Sequence, residues 1–390
     1  MNTKISDSIV SVGVDDPDEK LFENQYILPF GVSYNSYAIL GGGDEIAVMD
    51  SVEGKFGDQW IREVEHATGG RAPRWLIVQH AEPDHSACIA HALSRWPDCK
   101  AVASAKCLEI IRNFHLGVEF EGRTLTVKEG DTLEVGSHRL RFLTAPMIHW
   151  PEVIMTYDET DKVLFTADGF GRFGSLQYDE TDWTDEARRY YCNIVGKFGQ
   201  MVQNLLKKAS TLDIEYIAPL HGPVLKAPLD RPLDLYNHWS TYTPEGPGVL
   251  VAYASIYGNT AACALRLAEM LRERGENVYT ADLTKGEPSE AVAQAFRFDT
   301  MVLAASSYDG GVFPPMRAFI DRIASKGLRN RRVGLIQNGS WAPVAASVMK
   351  KAVEGMAGME FIEPVVTIRS TMSDADLPAL SALADAICNR

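Results

Sequence analysis

From residue 248 onward the chain alternates strand-like and helix-like segments five times, and few folds accept that pattern. The strand-like runs are 249–254, 277–282, 300–305, 332–337 and 361–368; the helix-like runs are 261–274, 288–295, 315–326, 344–356 and 374–388. Five strand–helix units in succession predict a doubly wound parallel sheet with helices on both faces.

The first part of the chain reads differently. Short strand-like runs at 34–40, 45–49, 74–79, 124–127, 139–144, 153–157 and 162–166 are separated by turns and a few helices. The runs 123–127 and 131–135 look like the arms of a hairpin around Glu129-Gly130, and Gly41-Gly42-Gly43 reads as a turn between strands rather than as a nucleotide loop. A β-rich layer with outer helices is expected here, either α+β or an αββα sandwich. The stretch 241–248, with Pro244, Gly246, Pro247 and Gly248, reads as the linker. The expected domains are therefore 1–245 and 246–390.

Composition narrows the function classes. The net charge of −14 over 390 residues argues against a general nucleic-acid binder, which needs clustered Lys and Arg. No apolar run is long enough for a membrane span, and the polar, acidic start is unlike a secretory signal. None of the six cysteines lies in a C-x-x-C pair, so a zinc ribbon or thioredoxin-like site is not expected and a reducing, cytoplasmic setting is.

Three loops at the carboxyl edge of the predicted parallel sheet carry binding chemistry. Ser255-Ile256-Tyr257-Gly258-Asn259-Thr260 joins the first strand to the first helix, where backbone N–H groups and a positive helix end can receive a phosphate. An N-capped turn would read the same way on its own. Ser306-Ser307-Tyr308-Asp309-Gly310-Gly311 follows the third strand and Asn338-Gly339-Ser340-Trp341 the fourth. Hydroxyls, glycines and aromatics on three loops at one edge suit a phosphate joined to a planar ring. This part closely resembles flavodoxin: the first loop fits the [ST]-x-[TYW]-G-N-T phosphate signature throughout. The resemblance implies FMN.

The first part concentrates metal-ligand types. His80-Ala81-Glu82-Pro83-Asp84-His85 lies at the end of a predicted strand, with a helix expected from Asp84. Four such groups in six residues would repel one another or be buried at a cost without a metal. His149, Asp168 and His221 each follow a later strand-like run. The spacing resembles the metallo-β-lactamase fold, whose first motif is H-x-H-x-D-H; here Glu82 replaces the second His. Four imidazoles, three carboxylates and no thiolate suit non-haem iron or manganese as well as zinc. His66, His91, His115, His138 and His238 lack ligand spacing.

An oxygen-rich two-metal site beside a flavin domain resembles the flavodiiron proteins over nearly the whole chain. The resemblance implies that His80, Glu82 and His149 bind one iron, that Asp84, His85 and His221 bind the other, and that Asp168 bridges them. It implies reduction of dioxygen to water, of nitric oxide to nitrous oxide, or both, with electrons from FMN and the irons. It also implies a head-to-tail homodimer, or a dimer of dimers, pairing the FMN of one subunit with the irons of the other. No rubredoxin or flavin-reductase module follows the flavodoxin-like part, so a separate donor is expected: a rubredoxin, with coenzyme F420 as the alternative. Phe173 stands where many relatives have His. Tyr190 or Tyr191 matches a family tyrosine thought to face the metals, Tyr190 being preferred; Trp150 is either a pocket wall or an ordinary core residue.

Overall fold

The computed structural model describes residues 3–42, 45–178 and 182–389. These fall into two compact units. One comprises Met1–Asn24, Leu28–Tyr191 and Gln200–Tyr236; the other comprises Gln25–Ile27, Cys192–Gly199 and Asn237–Arg390. No helix among the described residues is long and apolar enough to cross a membrane.

The first unit is a two-sheet sandwich. One six-stranded sheet runs, in spatial order, Ile9–Ser11, Tyr37–Leu40, Ile46–Met49, Trp75–Ile77, Lys100–Ser104, Thr124–Val127. The other runs Thr132–Val135, His138–Thr144, Ile154–Asp158, Val163–Phe165, Tyr216–Ala218, Leu225–Lys226. Alternate apolar residues of both inner faces form one core, among them Ile39, Met49, Ile77 and Val102 from the first sheet and Leu140, Phe142, Ile154 and Phe165 from the second. Helices Gly57–Thr68 and Ala105–Phe114 lie on the first sheet. The latter starts where Ser104 Oγ accepts a hydrogen bond from the Cys107 amide, at 3.1 Å.

The expected hairpin does not form. Thr124–Val127 pairs in parallel with Lys100–Ser104, whereas Thr132–Val135 pairs antiparallel with His138–Thr144 in the other sheet. The turn at Gly130 (φ 82°) instead carries the chain across the sandwich, so that Val127 and Val135 enter the shared core from opposite sheets. Gly42 (φ 80°) follows the strand Tyr37–Leu40, as a turn requires, and Gly43 lies outside the described residues.

The second unit holds a parallel sheet in the order Val278–Asp282, Gly246–Ala254, Phe298–Tyr308, Arg331–Asn338, Met359–Ile368. The chain reverses its direction of winding between the strands Gly246–Ala254 and Phe298–Tyr308, and a ligand cleft is expected beyond their carboxyl ends. One expected loop is partly strand. Residues 306–308 extend Phe298–Tyr308, and Gly311–Val312 folds back to pair with Ser307 and Tyr308 around Asp309 and Gly310.

Candidate metal centre and flavin cradle

The seven expected metal ligands converge within the first unit. His80 follows the strand Trp75–Ile77, and the Asp50 carboxylate fixes that turn by accepting hydrogen bonds from Gln79 N at 2.7 Å and Gln79 Nε2 at 2.9 Å. Glu82 is the N-cap of the short helix Pro83–Ser86, which carries Asp84 and His85. His149, Asp168 and His221 lie beyond Thr144, Phe165 and Ala218, the ends of three strands of the second sheet.

Two groups of donor atoms form around the two oxygens of Asp168. In the first, His149 Nε2 lies 2.9 Å from Glu82 Oε2 and 3.1 Å from Asp168 Oδ2, and His80 Nε2 lies 3.3 Å from the same Asp168 oxygen. In the second, Asp84 Oδ2 is 3.4 Å from both His85 Nε2 and His221 Nε2, and Asp168 Oδ1 is 3.2 Å from His85 Nε2 and 3.7 Å from His221 Nε2. First-row metal bonds of about 2.0–2.2 Å place neighbouring ligand atoms roughly 3.0–3.5 Å apart, so these spacings are those of ligands around a common ion.

Hydrogen bonding alone leaves the second group unsatisfied. Asp84 Oδ1, Asp168 Oδ1, His85 Nε2 and His221 Nε2 are buried without a hydrogen-bond partner among the described residues. Each such group costs about 1–3 kcal/mol when left unpaired, and Asp168 Oδ1, His85 Nε2 and His221 Nε2, which converge with Asp84 Oδ2, fit a bound cation. His221 Nδ1 donates to the Ser33 carbonyl at 2.7 Å, which leaves its Nε2 lone pair facing inward. Among the protein groups alone, burial raises the Asp168 carboxyl, but the imidazoles of His85, His149 and His80 outweigh it and hold the carboxyl well below the usual range. The site therefore presents an anionic bridge, and its residues fit two divalent or trivalent ions.

The surrounding wall is aromatic. Trp150 stands edge-on to His80 with ring centroids 5.2 Å apart. Tyr190 is wholly buried, 5.6 Å from His221, and its hydroxyl has no hydrogen-bond partner among the described residues. Burial, then the charges of Asp168, Asp84 and Glu82, push this phenol far above its ordinary pKa, so it keeps its proton. Tyr191 turns the other way, against Tyr236 at 5.0 Å. Phe173 packs on Tyr190 at 5.0 Å and beneath the Arg189 guanidinium. A cavity of about 470 Å³, lined in part by Glu19, Phe22, Tyr34, Glu53 and Lys55, opens onto Glu82 and Asp84.

Sequence reasoning missed Asp50, Glu152, Phe22 and Tyr34. Glu152, two residues beyond Trp150, accepts a hydrogen bond from His80 Nδ1 at 2.8 Å. Asp50 had a visible signal, a carboxylate directly after the buried strand Ile46–Met49. Phe22 and Tyr34 had none.

In the second unit a cavity of about 470 Å³ opens at the carboxyl edge of the sheet. Its wall includes Ser255, Ile256, Tyr257, Asn259, Thr260, Ser307, Tyr308, Asp309, Gly310, Asn338, Gly339, Ser340 and Trp341. Ser306, from the same expected loop, lines it too, and Ala342, Val344 and Ser370 join it beyond the expected loops. Gly258 and Gly311 shape loops rather than wall. Gly258 (φ 90°) begins the helix Asn259–Glu273 and donates its amide to Ser255 Oγ, and Gly311 pairs back to Tyr308. Hydroxyls cluster at that helix start, where Thr260 Oγ1 and Ser306 Oγ are 2.8 Å apart. Two rim aromatics stand almost fully in solvent, Tyr257 at 91% and Trp341 at 88% exposure. A helix N-terminus with hydroxyl donors and two solvent-facing rings fits a phosphate carried by a flat aromatic ligand.

Comparison with known proteins gives a concordant picture. Residues 32–222 match the ODP family beta lactamase and residues 250–358 a flavodoxin domain. The anaerobic nitric oxide reductase flavorubredoxin of Salmonella arizonae is 26% identical over 372 residues, covering 92% of this chain and 76% of its own. The corresponding protein of Escherichia coli is 25% identical with the same coverage. Among solved structures, the rubredoxin oxygen:oxidoreductase of Desulfovibrio gigas aligns with a TM-score of 0.89 at 21% identity, covering 99% of this chain and 98% of its own. The flavodiiron protein of Giardia intestinalis aligns with a TM-score of 0.90 at 23% identity, covering 100% and 96%. These two likenesses establish the fold.

Proposed function

We propose that this chain, which belongs to the flavodiiron proteins by its ODP-type and flavodoxin domains in that order, is an FMN- and iron-dependent reductase of dioxygen, nitric oxide or both. The observation that carries this reading is the pair of donor groups sharing Asp168, with Glu82 supplying an oxygen where a hydrolase motif has an imidazole. When bound, the FMN and the two irons supply the electrons for reducing the gas.

The residues divide the remaining tasks. His80, Glu82, His149 and Asp168 would hold one ion and Asp84, His85, His221 and Asp168 the other. Asp168 offers one carboxylate oxygen to each group of donors. Trp150, Phe22 and Phe173 keep bulk water from the site, and the Tyr190 hydroxyl holds a proton beside His221. The cavity lined by Tyr34 and Lys55 admits the gas. In the second unit the start of the helix Asn259–Glu273 would receive the phosphate of FMN, and the exposed rings of Tyr257 and Trp341 at the cavity would offer contacts to its ring system.

Electrons would reach the FMN from a redox carrier. Rubredoxin is the proposed donor, since relatives named flavorubredoxins match over most of this chain, and coenzyme F420 is the alternative. Assembly is proposed as a head-to-tail homodimer, or a dimer of such dimers, that joins one subunit's FMN to the other's irons.

The test is metal and flavin analysis of protein purified without oxygen, followed by gas consumption with a reduced donor. Two irons and one FMN per chain, with turnover of at least one gas, are expected. Zinc in protein made with ample iron, or no gas consumption, would overturn the reading.

A further inference from the structure

The two halves of the metal centre offer matching donors, two imidazoles, one carboxylate of their own and one oxygen of Asp168 each. They differ behind the imidazoles. His80 Nδ1 lies 2.8 Å from Glu152 Oε1, and both side chains are fully buried. The same oxygen accepts the Ala81 amide at 3.0 Å, while Glu152 Oε2 has no partner among the described residues. Ser104 Oγ donates to the Glu152 carbonyl at 2.9 Å, tying this carboxylate to the end of the strand Lys100–Ser104. In the other half, His221 Nδ1 meets the neutral Ser33 carbonyl, and His85 Nδ1 is buried without a partner among the described residues.

We propose that Glu152 makes the two metal positions electronically unequal, so that the ion held by His80, Glu82 and His149 stays ferric at potentials where the ion held by Asp84, His85 and His221 is already ferrous. Glu152 is a positioning residue that acts through His80. A carboxylate behind an imidazole keeps the proton on Nδ1 and makes Nε2 a stronger donor. Its buried charge also favours the higher of two cationic states, because water does not screen it. Each reduction is Fe(III) plus one electron to Fe(II), the electron coming from the chemical titrant, with no bond made or broken. This inference rests on the iron reading above.

The test is an anaerobic reductive titration of full-length, iron-loaded protein, following the half-reduced Fe(III)–Fe(II) signal by electron paramagnetic resonance. Glu152→Gln keeps the shape and can still accept from Ala81 and His80, but removes the charge. The expected maximum of the half-reduced signal falls several-fold in Glu152→Gln at unchanged iron content, with Glu152→Asp between it and the wild type. A Glu152→Gln signal equal to the wild type's overturns the proposal. So does a Glu152→Asp signal as low as that of Glu152→Gln, which would point to side-chain length rather than charge. Should Glu152→Gln not fold, Glu152→Asp carries the test, because its looser contact must lower the signal and equality with the wild type overturns the idea. The titration needs no turnover. A wild type that shows the signal but consumes neither gas would sink the proposed function and leave the Glu152 inference standing.

Discussion

The ring of Tyr190 lies 5.6 Å from the imidazole of His221, tilted by 53°, and its buried hydroxyl meets no hydrogen-bond partner among the described residues. An unpartnered buried hydroxyl weakens a fold, and this one stands beside the proposed metal centre. Tyr190→Phe is expected to melt at the wild-type temperature or slightly above it, by up to about 1 kcal/mol of added stability. Turnover with dioxygen or nitric oxide is expected to drop roughly 10- to 100-fold, as for the loss of a hydrogen bond of about 1.5–3 kcal/mol to a charged partner. Thermal melts beside steady-state gas consumption check both halves; unchanged turnover would return Tyr190 to a filling role.

The two units predict separable responses to ligand. The proposed iron ligands all belong to the sandwich and the proposed FMN contacts all belong to the parallel-sheet unit. Calorimetry of full-length protein is therefore expected to show one transition that moves with iron and another that moves with FMN. A ligand present at a hundredfold excess over its Kd adds about 2.7 kcal/mol to the unit that binds it. A single transition that shifts equally with either ligand would contradict this.

In the proposed iron site Glu82 would contribute one of the anionic oxygens that balance trivalent iron. Glu82→His replaces the carboxylate oxygen that lies 2.9 Å from His149 with an imidazole and recreates the H-x-H-x-D-H pattern. The variant is expected to bind less iron and more zinc than the wild type when grown with both metals, because nitrogen-rich sites suit zinc and the lost charge destabilises the ferric form. Metal analysis of the two proteins purified side by side decides this.

Trp341 stands at the rim of the cradle with its ring in solvent. Trp341→Ala removes an aromatic contact of about 0.5–1.5 kcal/mol, so FMN affinity is expected to fall by up to roughly 10-fold. Titration of FMN into flavin-depleted protein, read by flavin fluorescence, measures it. The melt of the flavin-free protein is expected to be unchanged, since the side chain is exposed.

His138 and Asp158 form a buried pair at 2.8 Å, away from the ligand set. Burial lowers the imidazole's pKa, but the Asp158 hydrogen bond and charge, with Asp161, raise it above the ordinary value overall. A raised folded-state pKa means stabilisation that is complete below about pH 6.5 and is lost as the pH climbs through the folded value. The stability gap between wild type and His138→Gln is therefore expected to be wider at about pH 6 than at about pH 9. Urea unfolding midpoints of both proteins at the two pH values test the sign; a gap that widens with pH would refute it.

Much of this molecule is legible from local sequence. The five strand–helix units and the alternating runs before them mark both architectures, because side-chain period reports which face of an element is buried. The candidate metal-binding side chains and the candidate phosphate loop are legible because their chemistry is uncommon and recurs where strands end. Other features needed the tertiary structure. The runs 124–127 and 132–135 alternate like hairpin arms, yet period says only that a segment is a strand and not which strand it pairs with, and the two join different sheets. Tyr190 and Tyr191 are neighbours on one helix and point about 100° apart, so only the position of His221 decides which one borders the metals. Glu152 and His80 are separated by 72 residues, and a partner held across that span has no local signature. Short-range pattern thus determined the elements and the donor inventory, whereas long-range contact decided pairing, orientation and the carboxylate behind His80.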